Sequence, residues 1–229
     1  MDTLIISGFP ARAVRCDFGA VVVDVFAVAE LEAFVDRDAL LRESEVPEPP
    51  YWAHLWVGSR ALARHIVASP RQFATAIDIG CGVGLAGLVA ARCGAATTFL
   101  DHAPEAPRFV RASAARNHLP AAVLQTDLRR PGVRGRFDLC LAADATYDPV
   151  LQRALAEFLA AHLAADGIAW CAESVRTVDT GFHDACHTLG LATRETQLIE
   201  IDEGVPVVVR LTEATWARRP RRAPRGSLR

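Results

Sequence analysis

The segment Asp78-Ile79-Gly80-Cys81-Gly82-Val83-Gly84 constrains the fold of this chain more than any other. It follows a short apolar run at residues 75–79 and opens a helical pattern over residues 85–93, with Gly94 placed as the stop. Three glycines in a strand-to-helix turn let the backbone bend sharply and approach a ligand closely. Strand patterns at 97–100, 122–125, 137–142 and 168–172 then alternate with helical ones. The helical segments run from Pro104 to about Asn117, along the face Leu151, Leu155, Phe158, Leu159 and Leu163, and over 180–189. Such alternation specifies an α/β domain with a mostly parallel sheet covered by helices on both faces.

What flanks this core is different. Residues 193–201 and 207–211 read as two strands joined by Asp202-Glu203-Gly204-Val205-Pro206, a C-terminal antiparallel hairpin whose second strand starts after the proline. Residues 1–50 read as a small N-terminal extension with a hairpin around Cys16–Phe26 and a helical pattern at Leu31, Phe34, Val35, Leu40 and Leu41. Pro47-Glu48-Pro49-Pro50 closes it. Residues 51–216 form the ligand-binding domain, opened by Pro50-Tyr51-Trp52-Ala53-His54-Leu55-Trp56 and a helix near residues 59–68. Residues 217–229 carry six arginines and no acid, a tail read as disordered, with polyanion binding as the sharper alternative.

Composition excludes several classes. No apolar run approaches the ~20 residues of a membrane span, and no basic-then-apolar leader opens the chain, so the expectation is a cytoplasmic protein. The six cysteines show no C-x-x-C spacing and sit mainly in apolar runs, against disulfides or zinc. Without the tail the body carries a net charge of −8, which disfavours nucleic acid as partner. All 25 Lys/Arg positions are arginine.

The glycine spacing is G-x-G-x-G with Asp78 two residues before Gly80, whereas dinucleotide sites favour G-x-G-x-x-G. Leu85 and Ala86 stand where a P-loop would carry Lys-Ser/Thr. Asp101 ends the second core strand, where a carboxylate can accept from both ribose hydroxyls or cap the next helix. Asp127 can accept from an adenine amino group or serve the turn before Pro131-Gly132. Asp144-Ala145-Thr146-Tyr147 follows the fourth strand, beside the glycine loop. Its acid and phenol could orient a nucleophilic amine, or form an Asx turn with Tyr147 packed. Trp52 and Trp56 would share a helical face and either line a pocket or pack in the core. His183 and His187 share a helix face, but no glutamate follows His183 as a zinc-protease helix requires. No metal is expected.

Residues 49–64, the motif at 78–84, Asp101 and the run from Phe137 to Asp148 together resemble the seven-β-strand protein lysine methyltransferases. That family includes the enzyme acting on the electron-transfer-flavoprotein β subunit and bacterial members labelled nicotinamide N-methylase-like. The resemblance covers about residues 20–213. It implies a Rossmann-like seven-stranded sheet and S-adenosylmethionine as cofactor. It also implies a cofactor set of Trp56, Asp78, Gly80, Cys81, Gly82, Gly84, Asp101, Asp127, Leu128 and Ala143, with Asp144 and Tyr147 at the acceptor. Departures are Val57-Gly58-Ser59 after Trp56, where relatives carry x-G-G, and the small Ala145-Thr146 pair. The expected reaction is N-methylation of a protein lysine or a small amine. A cyclase or aminocarboxypropyl transferase, and a binding module without turnover, are the alternatives. A nicotinamide oxidoreductase is disfavoured by the glycine spacing.

Overall fold

The computed structural model describes residues 4–34, 50–145, 149–174 and 181–218. Strands β1 (Leu4–Ile6), β2 (Phe9–Asp17) and β3 (Val22–Val28) form an antiparallel three-stranded sheet, so the expected hairpin gains a third strand. Of the helical pattern after it, Leu31–Phe34 forms one 3-10 turn, and Val35, Leu40 and Leu41 lie outside the described residues.

The core follows in chain order: α1 (Val57–Ala68), β4 (Thr75–Ile79), α2 (Leu85–Arg92), β5 (Ala96–Asp101), α3 (Ala106–Arg116), β6 (Ala122–Gln125), β7 (Phe137–Ala143), α4 (Pro149–His162), β8 (Leu163–Ser174), α5 (Phe182–Thr188), β9 (Leu191–Asp202) and β10 (Val205–Trp216). The seven strands order as β6-β5-β4-β7-β8-β10-β9, parallel through β8 and antiparallel where β10 meets β8 and β9. Successive residues of a strand point to opposite faces, and both faces here are covered. Leu139 and Leu141 of β7 pack with Leu62, Leu88 and Trp170, while Cys140 and Ala142 pack with Leu155, Leu159 and Cys171. Each fully buried leucine contributes about 1.5–3 kcal/mol.

Several expected boundaries move. β8 starts at Leu163, which ends the helical face in the sequence pattern, because Phe137 pairs with Leu163 and Leu139 with Ile168 across an irregularity. The third core helix starts at Ala106 with Pro107 in its first turn, so Pro104 lies before it. The hairpin runs longer than 193–201 and 207–211, and Pro206 lies inside β10, opposite Ile201. Glu203 (φ 49°) and Gly204 (φ 81°) make a two-residue turn with both φ values positive. The pair beside such a turn exchanges the hydrogen bonds, so the nitrogen of Pro206 faces away from β9. β8 pairs with β10 only from Val209 onward, so no ladder donor is lost there.

The N-terminal sheet is docked on α3 by polar side chains as well as by apolar contact. Phe26 N donates to Ser113 Oγ (2.9 Å) and Asp24 N to Asn117 Oδ1 (2.9 Å), while Asn117 Nδ2 donates to Asp24 O (2.6 Å). These buried side chains satisfy backbone groups on the edge of β3 that faces away from β2. Val23 and Val25 join the same apolar cluster as α1 and α2. Among the described residues no helix is long and apolar enough to cross a membrane.

Candidate active site

Ligands of open α/β sheets bind beyond the carboxyl ends of the strands. A cavity of about 940 Å³ opens there, lined by Gly80, Cys81, Gly82, Asp101, Asp127, Ala143 and Asp144. Its volume lies at the upper end of the ~300–1,000 Å³ of small-molecule sites. Trp56, Asp78 and Leu128 also line it, so eleven of the twelve site residues expected from sequence, all but Tyr147, can be located. Gly84, the eleventh, is the N-cap of α2. Tyr147 lies outside the described residues.

Gly80, Gly82 and Gly84 all have positive φ (62°, 51° and 85°), a conformation costly for residues with a Cβ. At Gly82 a side chain is excluded twice, since its Cβ would stand 2.7 Å from Trp52 O. Cys81 N donates to Leu100 O (3.0 Å), and burial, then Asp101 and Asp78, push its thiol well above the ordinary range. The thiol is therefore protonated and serves as packing.

The two acids of this edge face inward. Asp78 Oδ2 accepts from Gly87 N (2.8 Å), and burial pushes its carboxyl up to about 7. Asp101 Oδ2 accepts from Gly82 N (2.7 Å) and its Oδ1 from Ala103 N (2.9 Å); burial raises its pKa against the pull of those amides. Asp101 therefore does not cap the next helix, whose N-cap residue is Glu105; its bonds to the two loop amides still leave acceptor sites for a ligand, because an ionised carboxylate has about four. Asp127 is the opposite case. It is exposed and bonded by Arg129 (2.5–3.0 Å), which holds its carboxyl down to about 2.

Tyr51–Ala53 is a 3-10 turn and His54 is extended, so Trp52 and Trp56 do not share a helix face as expected. Trp52 packs against Phe9 and Phe109 (ring centroids 5.5 and 5.1 Å), whereas Trp56 stands at the rim against His54 (4.6 Å). Both tryptophans line the cavity, and Trp52 packs in the aromatic cluster as well. Burial lowers the pKa of His54, which also lines the cavity. His183 and His187 both bond Thr193 Oγ1 (2.8 and 3.0 Å), and no cluster able to hold a metal exists among the described residues.

Asp144 has a left-handed backbone (φ 47°) and accepts from two backbone amides, Gly58 N and Ser174 N, both at 2.8 Å. Sequence reasoning missed both of these bonds and began the helix near residue 59. The helix begins at Val57, and its N-cap residue, Trp56, has no side-chain acceptor. A helix start lacking its own capping side chain was the available signal. Phe9 and Phe34, from the N-terminal extension, line the cavity and were also missed; nothing local in the sequence marks them.

Residues 51–164 match the family described as Methyltransferase small domain. The electron transfer flavoprotein beta subunit lysine methyltransferase of Danio rerio is 32% identical over 113 residues, covering 48% of this chain and 44% of that protein. Its Xenopus laevis counterpart is 28% identical over 121 residues, covering 52% and 49%. The chain thus spans under half the length of these two curated relatives. Among solved structures, the T. thermophilus 16S rRNA methyltransferase in complex with AdoMet and guanosine superposes with a TM-score of 0.62 at 16% identity, covering 90% of this chain and 50% of that one. The fold is therefore shared well beyond the matched segment.

Proposed function

We propose that this chain, which carries a class I methyltransferase domain, transfers a methyl group from S-adenosylmethionine to nitrogen, on a protein lysine or a small amine. The supporting observation is the make-up of the crevice. Asp78, Asp101, Glu105, Asp127 and Asp144 line it, and among the described lining residues the sole arginine is Arg129, already paired with Asp127. Such a field favours a ligand bearing a sulfonium and an ammonium over an anionic dinucleotide or a polynucleotide backbone.

The residues present fit that cofactor. The bare backbone of Gly80, Cys81 and Gly82 would run under its amino-acid part, and Asp101 would use its remaining lone pairs for the ribose hydroxyls. Asp127, Leu128 and Ala143 would flank the adenine, and Trp56 would close the near wall. Asp78 acts indirectly, by shaping the loop through Gly87, and Gly84 by ending it. S-adenosylmethionine, when bound, supplies an electrophilic methyl group on sulfur. In-line displacement then demands alignment and a desolvated, neutral amine rather than strong acid–base machinery. The family resemblance would set Asp144 and Tyr147 on the acceptor side. The six cysteines are free thiols, which suits the reducing cytoplasm.

Calorimetry with S-adenosylhomocysteine and with NAD is the direct test: binding of the first and not the second is expected, and the reverse would end the proposal. Asp101→Ala should weaken nucleoside binding by about 1.5–3 kcal/mol, the loss for a charge-assisted hydrogen-bond site. Mass spectrometry of the spent cofactor separates methyl transfer, which leaves S-adenosylhomocysteine, from cyclisation, which leaves methylthioadenosine. Because the chain contains no lysine, labelled methyl groups on lysine in an extract identify a partner protein rather than self-modification.

A further inference from the structure

Asp144 is the acid that the family resemblance sets beside the acceptor, and its surroundings assign it different work. The first four N–H groups of a helix have no partner within the helix, and a side chain at the N-cap position ordinarily satisfies one of them. At α1 that position is Trp56, which offers no acceptor. The amide of Gly58 is met by Asp144 Oδ2, 86 residues further along the chain. The other oxygen, Oδ1, accepts from Ser174 N at the end of β8, and Asp144 N donates to Ala172 O (2.9 Å). One residue thus joins the start of α1 to the ends of β7 and β8, and these bonds over-determine its left-handed backbone.

Gly58 carries the complementary requirement. A Cβ there would overlap Asp144 Oδ2 and stand 2.7 Å from Ala172 O, so the cap forms only against a residue with no side chain. Upstream of the cap the chain is tied link by link to the cofactor crevice. Trp56 lines the cavity and donates from Nε1 to Tyr51 O (2.9 Å), and the neighbouring Trp52 carbonyl lies against Gly82 of the glycine loop.

We infer that Asp144 is a positioning residue: it caps α1 and so holds the wall from Tyr51 to Trp56 against the cavity, instead of taking a proton from the methyl acceptor. This rests on the proposed S-adenosylmethionine site. Gly58 supplies the decisive control, since it has no side chain with which to do chemistry and does not line the cavity.

The test is S-adenosylhomocysteine affinity by calorimetry for the wild type, Gly58→Ala, Asp144→Asn and the double variant, with thermal melts as the check on folding. Each single variant should weaken binding by about tenfold, and the double variant should lose no more than the worse single one, since both break one contact. The pH dependence of methyl transfer to lysine in a protein extract should keep its wild-type shape in Asp144→Asn. The inference is overturned if Asp144→Asn and Gly58→Ala bind normally while Asp144→Asn alone loses about a hundredfold or more in rate, the mark of a group acting on the reacting proton. It is equally overturned if the two losses multiply. Should Gly58→Ala fail to fold, Trp56→Phe, which removes the Nε1 donor to Tyr51, must weaken binding in its place; normal affinity there sinks the chain of contacts. A wild-type protein that binds no S-adenosylhomocysteine removes the cofactor reading itself, a distinct outcome.

Discussion

Two helices begin at the rim of the same crevice, and each is capped by an aspartate outside the helix. At α2 the acid is Asp78, nine residues before the Gly87 amide it accepts from; at α1 it is Asp144, 86 residues after Gly58. Both amides belong to glycines that tolerate no Cβ, Gly87 because it would strike the Phe99 ring and stand 2.8 Å from Asp78 Oδ2. The near cap is internal to one strand–loop–helix unit and forms as soon as β4 and α2 pack. The far cap exists only once β7 and β8 lie in the sheet, and it controls the wall rather than the floor of the site. Similar chemistry therefore depends on local folding in one place and on assembly in the other.

Three experiments would break or sharpen this contrast. The largest effect is expected from Gly87→Ala, which drives a methyl group into Phe99 and the Asp78 carboxylate and should cost about 1–3 kcal/mol in urea unfolding, as overpacking does. An unchanged midpoint would show that the near cap yields easily, breaking the parallel.

The second is a pH effect. Because burial pushes Asp78 up to about 7, above the ~3.9 of an unfolded aspartate, the native state holds the extra proton between those values. Stability contributed by this group therefore falls as pH rises through that window. The melting temperature of the cofactor-free protein should decline between roughly pH 5 and 7, and Asp78→Asn should flatten the decline. A slope that persists in that variant would assign it to another group.

The smallest effect belongs to Asp127. Its folded pKa of about 2 lies below the unfolded value, so its stabilisation is present above ~3.9 and lost as pH falls toward 2. It is exposed and solvent-screened, so Asp127→Ala should leave the urea midpoint at neutral pH within error. A shift as large as that of Gly87→Ala would mean the rim is structural.

Much of the α/β core could be read from the chain. β4 and β6 have the expected bounds, and β7 differs by one residue, because short apolar runs between turn residues admit one reading. The place of Asp101 was legible for the same reason, as the acid that ends a buried strand. The hairpin was read short because β9 and β10 pair along their whole length, which lets residues outside the expected bounds, such as Ala192, Glu213 and Thr215, extend as strand. The docking of the N-terminal sheet was illegible, since Ser113 and Asn117 look like ordinary polar positions of an amphipathic helix until they meet the β3 edge.

By itself the sequence determined the alternating strands and helices, the left-handed glycine loop and the acid that ends β5. Each is written within a stretch of about ten residues, where burial period and backbone conformation act directly. Only the tertiary structure decided that Asp144 accepts from the start of α1, that Trp52 packs against Phe9 and Phe109 while Trp56 meets His54, and that Phe9 and Phe34 line the cavity. Those facts depend on which strands become neighbours, a choice made by burying the whole sheet at once and recorded in no single segment.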